Sequence, residues 1–135
     1  MAETIVDSNV LIDVFSDDPL WGPWSGAALR EAGAQGPLVI NEVIYAEVSA
    51  RYTHIEVLDH ELPEEDFRRE NTPWQAAFLA GKAFLDYKRR GGTKRSPLPD
   101  FFIGAHAAVR GLTLLTRDPV RYRTYFPTVE LIAPE

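Results

Sequence analysis

The chain has 135 residues, 45% of them hydrophobic, with no cysteine and a formal net charge of −6. That length suits one domain, 1–135, with a proper buried core, and the missing thiols exclude a disulfide framework and a thiolate metal site. No apolar run approaches the roughly eighteen residues of a membrane span, and the start MAETIVDSN has no signal-peptide pattern, so a cytoplasmic protein is expected.

Residues 3–6 form a short β-prone run ending at Asp7, and Asp7-Ser8-Asn9 offers helix-capping side chains before an apolar helix over 10–15. A second helix is expected over 24–32, then a buried strand over 38–40 with Asn41 as cap for a helix over 42–50. That third helix is apolar nearly all round and reads as largely buried, yet it contains Glu47, which is costly there unless paired, exposed at a cleft or bound to something. A short helix follows over 53–61. The acidic stretch 63–71 is ambiguous. Thr72-Pro73 opens a long helix to about residue 87, with Trp74, Ala77, Phe78, Ala80, Gly81, Phe84 and Leu85 as its buried side.

Residues 89–96 are a Gly- and cation-rich loop leading to Leu98-Pro99-Asp100 and a helix that Gly111 stops. A strand over 112–116 comes next, then Asp118, a turn or single helical turn over 119–122, and a last strand over 129–132. Strands alternating with helices predict an α/β fold with a central parallel sheet of four to five short strands. In such sheets ligands bind beyond the carboxyl ends of the strands. Asp7 and Asp118 both leave strands at that edge. Eleven helical residues run about 16 Å out and five strand residues about 16 Å back, which returns Asp118 close to Asp100. Glu47 stands about 9 Å along a helix that starts at the same edge.

Each aspartate alone could be a helix cap or a turn residue. As a set on one edge, the four carboxylates point to a divalent cation, and hard oxygen donors favour Mg²⁺ or Mn²⁺ over zinc. His54, His60 and His106 do not form a ligand set; His106 reads as a satisfied, half-buried imidazole. Ser8 and Thr116 are candidates to orient carboxylates. Charge is unevenly spread: residues 1–81 hold four Lys/Arg against fifteen Asp/Glu, whereas 82–123 hold ten against three. Such asymmetry suits a polyanion partner, although solvated helix faces also produce it.

The motifs Asp7-Ser8-Asn9-Val10-Leu11-Ile12, Tyr45-Ala46-Glu47-Val48-Ser49, Leu98 to Ala107 and Leu114-Leu115-Thr116-Arg117-Asp118 together resemble the PIN-domain ribonucleases, and among them the VapC-type toxins of toxin-antitoxin pairs. The resemblance covers nearly the whole chain. It implies a three-layer α/β/α PIN-like domain, Mg²⁺- or Mn²⁺-dependent endonuclease action on RNA, a cognate VapB-like antitoxin, and a homodimer. Asp7, Glu47, Asp100 and Asp118 match the family's acidic site position by position. Ser8 stands where a threonine is often found, and no further acid follows Asp118 in Pro119-Val120-Arg121. The reading assigns direct ligation to Asp7 and Asp100, and outer contacts or a second ion to Glu47 and Asp118, with Glu47 orienting the nucleophile. The Lys88 to Arg95 loop and Arg117 are expected to grip phosphates. Apolar residues from Ile44 to Trp74 could form an antitoxin groove or belong to the core. An aspartyl phosphatase is disfavoured because Asn9 replaces the second acid of Asp-x-Asp, and the non-enzymatic alternative is an RNA-binding domain that blocks RNA without cutting it.

Overall fold

The computed structural model describes residues 2–93 and 97–135. Strand β1 (Thr4–Val6) is buried at all three positions and runs through Asp7 into α1 (Ser8–Phe15), and α2 (Gly22–Gln35) follows. Strand β2 (Leu38–Ile40) ends at Asn41, whose Oδ1 accepts the Ile44 amide at 2.9 Å and so caps α3 (Glu42–Ser49). Next come α4 (Ile55–Glu61), β3 (Phe67–Arg69), α5 (Trp74–Arg89) and α6 (Leu98–Arg110). The chain closes with β4 (Thr113–Leu115), α7 (Val120–Tyr125) and β5 (Leu131–Ile132).

The five strands form one sheet in the order β3-β2-β1-β4-β5, every neighbouring pair parallel, in agreement with the expected α/β class. Ile5 lies opposite Val39 on one side and Leu114 on the other, and Val6 lies opposite Leu115. The chain winds from β1 outward to β3, then returns to lay β4 on the other flank of β1. The order therefore reverses between β1 and β4, which is where a parallel sheet leaves a crevice beyond its carboxyl ends.

Several expectations are corrected. The ambiguous acidic stretch contains β3, and of the two readings after Asp118 the helical one holds, lengthened to the six residues of α7. Helix α3 is not largely buried: Ile44 and Val48 face the core while Glu47 stands at its margin. Helix α5 buries Ala76, Ala80 and Ala83, a stripe of small residues, and leaves Trp74, Phe78 and Leu85 exposed. Small side chains let α5 settle on α6, with Phe84 and Tyr87 edge-on to Phe101 at ring separations of 6.3 and 5.8 Å. Gly104 of α6 has a matching role. A Cβ there would stand 2.4 Å from the Phe126 ring, so only glycine lets α7 and its following residue seat against α6.

Candidate active site

Asp7 is placed by the sheet itself: its amide donates to the Leu115 carbonyl at 2.9 Å, continuing the β1–β4 ladder by one residue. It stands at the N-cap position of α1 but makes no capping bond with its side chain, which turns instead to the crevice. There its Oδ2 accepts from Thr116 Oγ1 at 2.9 Å and from the Tyr122 hydroxyl at 2.8 Å. Thr116 in turn takes the Asp118 amide at 3.1 Å, and Asn9 Nδ2 approaches both Thr116 Oγ1 and Asp7 Oδ2 at 3.3 and 3.4 Å. Asp7 is 4% exposed.

Glu47 reaches the same crevice from α3. Ser8 Oγ donates to Glu47 Oε1 at 2.7 Å and lies 3.4 Å from Asp7 Oδ1, so one hydroxyl stands between the two acids. Asp100, in the first turn of α6, is half-buried, and its Oδ2 accepts from Arg121 at 2.5 Å. Asp118 is exposed at the outer margin, where its charge still bears on Asp100. The fold thus brings Asp7, Glu47 and Asp100 into one electrostatic group with Asp118 at its rim.

The carboxylates act on one another. Burial pushes Asp7 up to about 7, the Asp100 and Glu47 charges add to the rise, and the Tyr122 and Thr116 donors oppose it. Burial likewise raises Asp100 despite the Arg121 pair, with Asp118 adding to the rise. Burial raises Glu47, partly offset by the Ser8 bond and reinforced by Asp100. The Tyr122 phenol lies well above its ordinary range because it is buried and faces Asp7 and Asp100. It therefore remains a proton donor to Asp7. Among the described residues, no three acidic or histidine side chains are arranged as a formed cation site. The donor chemistry nevertheless fits a hard dication: the donors are all oxygens, and a positive ion among them would offset the burial that chiefly raises all three and the repulsion that adds to it.

Two contributors escaped the sequence reading, Arg121 and Tyr122. Both come from α7, and the available signal was a tyrosine four residues before Phe126, able to bury one helical face after Pro119. Arg117 departs from its expected role. Its Nε donates to Asp13 at 2.6 Å, Ser25 also donates to that buried acid at 2.8 Å, and its guanidinium lies over the Trp21 ring. It ties the edge of β4 to α1 rather than reaching outward. Of the other cations, Arg110 pairs with Glu70 and Arg90 with Asp86 at 2.9 and 3.1 Å. Arg89 and Arg123 are exposed. Lys94 and Arg95 lie outside the described residues. His106 is fully rather than half buried, held between Asn41 at 3.1 Å and Glu70 at 2.6 Å.

The PIN domain model matches residues 4–127. No curated protein sequence matches the chain. Among solved structures, the chain is similar to VapBC2 from Rickettsia felis bound to a promoter DNA fragment, with a TM-score of 0.72 at 15% identity over 97% of this chain and 98% of that one. It is also similar to VapBC-1 from nontypeable Haemophilus influenzae, with a TM-score of 0.71 at 19% identity over 97% of each chain. A toxin-antitoxin complex from Klebsiella pneumoniae gives 0.67 at 24% identity over 98% of each. With the family model covering most of its length and the sheet order and acidic crevice described above, the chain belongs to the PIN domain family.

Proposed function

We propose that the chain is a metal-dependent endoribonuclease that hydrolyses RNA phosphodiester bonds as the toxin of a toxin-antitoxin pair. The observation that carries this reading is the convergence of Asp7, Glu47 and Asp100 on the crevice at the β1–β4 switch point, with Ser8 between Asp7 and Glu47 and each carboxylate raised chiefly by burial. Asp7 and Asp100 would hold a Mg²⁺ or Mn²⁺ ion. When bound, the ion activates water and stabilises charge building on the phosphoryl oxygens.

The protein's own groups supply the rest. Thr116 and Tyr122 fix one oxygen of Asp7, which sets the direction of the other. Ser8 occupies Oε1 of Glu47 and leaves Oε2 to orient the attacking water and take its proton, a task suited to a carboxylate raised by burial. Asp118 borders the crevice and assists from its rim. Arg89, exposed at the end of α5, supplies charge for flanking phosphates.

An antitoxin partner is supported by the structural relatives, which are toxin-antitoxin complexes. A groove of about 340 Å³ lined by Ile12, Phe15, Val48, Arg51, Tyr52 and Glu61 offers such a partner an apolar floor with charged edges. The exposed Trp74, Phe78 and Leu85 on α5 support a homodimer through that face. No helix among the described residues is long and apolar enough to cross a membrane; the cytoplasm is the compartment that the proposed RNA substrate implies.

Purified protein incubated with end-labelled total RNA tests the reading. Discrete cleavage products are expected with Mn²⁺ or Mg²⁺ and none with excess EDTA. RNA that is bound but left intact in the presence of the cation would instead establish the non-catalytic, RNA-blocking alternative.

A further inference from the structure

Arg121 is the basic side chain whose carboxylate partner is itself a member of the acidic crevice. Its Nη1 lies 2.5 Å from Asp100 Oδ2, and its guanidinium rests over the Tyr87 ring at 5.7 Å. Arg117, the other arginine at this edge, is held differently: its partner Asp13 is 2% exposed, is shared with Ser25, and lies outside the crevice. Arg117 is a fixed tether. Arg121 sits at the half-exposed mouth, with 23% of its side chain and 33% of that of Asp100 accessible to solvent, so the pair can open without exposing core.

Asp100 is also the acid whose charge reaches farthest in the group, bearing on both Asp7 and Glu47. A guanidinium on Asp100 therefore offsets the charge that the crevice most needs to balance. A divalent cation held by Asp100 and the Arg121 guanidinium on the same carboxylate repel each other, so each weakens the other's hold. Resting on the nuclease reading above, we infer that Arg121 is an exchangeable internal counter-ion: it holds Asp100 while the crevice lacks a cation, and yields Asp100 when a divalent cation binds there. Helix α7 then has two distinct duties at adjacent positions. Buried Tyr122 stays on Asp7, while Arg121 turns out and carries its charge to the mouth of the crevice, where a phosphate arrives.

The test is direct Mn²⁺ binding to the full chain, followed by electron paramagnetic resonance of the free ion, for wild type, Arg121→Gln, Arg121→Lys and Arg123→Gln. Arg123 is an exposed arginine on the same helix, so its loss changes net charge equally without touching Asp100. Arg121→Gln should tighten Mn²⁺ binding about two- to fivefold, the range set by the modest strength of partly exposed ion pairs. Arg121→Lys, which keeps the charge but loses the planar fork, should tighten it less, and Arg123→Gln by less than about twofold. The lysine variant also serves if the glutamine variant does not fold, as judged by thermal melting in EDTA. Equal or weaker Mn²⁺ binding by the Arg121 variants, or equal tightening by Arg123→Gln, overturns the exchange while leaving the nuclease reading intact if RNA is still cut. Absence of Mn²⁺ binding in every form overturns both.

Discussion

Asp7 illustrates how one residue can carry a cost that only function explains. Burial and two neighbouring acids raise it to about 7, so between its ordinary value near 3.8 and about 7 the unfolded chain is ionised while the folded one holds a proton. The folded state binds more protons over that window, and stability from this group falls as pH rises through it, levelling off above about 7. Asp7→Asn removes the ionisation and retains a side chain able to accept from Tyr122. The variant should match wild type near pH 4 and exceed it by about 1–4 kcal/mol at pH 8 in denaturant melts without metal. A difference that does not change with pH would show that Asp7 ionises freely in the fold. The convergence of Asp7, Glu47 and Asp100 with Asp118 at the rim was legible in the sequence because Asp7 and Asp118 leave strands at one edge, the helix and strand between Asp100 and Asp118 are of matching length, and Glu47 lies on a helix that starts at that edge. Arg121, Tyr122 and Asp13 were not, because their roles rest on partners 21, 115 and 104 residues away that no local pattern announces.

At the scale of elements, the seat of α7 decides whether the acidic crevice is complete. Its anchor is the flat contact of Phe126 and Tyr122 on Gly104, where any Cβ meets the Phe126 ring at 2.4 Å. Gly104→Ala should therefore push α7 off α6, costing about 1–3 kcal/mol as overpacked cores do. Because the displaced helix carries Tyr122 and Arg121, RNA cleavage should fall more steeply than stability. A variant with a lowered melting temperature but wild-type cleavage would show that α7 is packing alone. The misread elements have plain causes. Strand β3 has three residues, of which only Phe67 is buried and two are arginines, so its pattern is invisible without β2 beside it. Helix α5 carries two apolar stripes, and α6 accepts the narrower one of alanines because Phe84, Tyr87 and Phe101 already fill the remaining space.

For the molecule as a whole, the rejected stripe becomes surface. Trp74 is 89% and Phe78 69% exposed, a pair of large apolar side chains one helical turn apart. If this face joins two copies, changing both to serine should convert a dimer to a monomer in sedimentation velocity without lowering the monomer's stability, whereas an unchanged dimer would place the interface elsewhere. The uneven charge also looks different in three dimensions. Arg110 and Arg117 of the basic segment are held by Glu70 and Asp13, and Arg121 by Asp100 until a cation takes its place, so the positive surface left for a polyanion is smaller than the sequence count implies. The parallel sheet and its carboxyl edge could be read from alternating strands and helices; the switch point and the internal neutralisation could not, since they depend on which elements the topology makes neighbours. The central claim is that the acidic crevice cuts RNA, and it is tested most directly by single-turnover cleavage with Asp100→Asn in Mn²⁺. Cleavage should fall by about a hundredfold or more, the scale expected when charge stabilisation in a transition state is lost, with the fold preserved in circular dichroism. Cleavage at the wild-type rate by that variant would contradict the account.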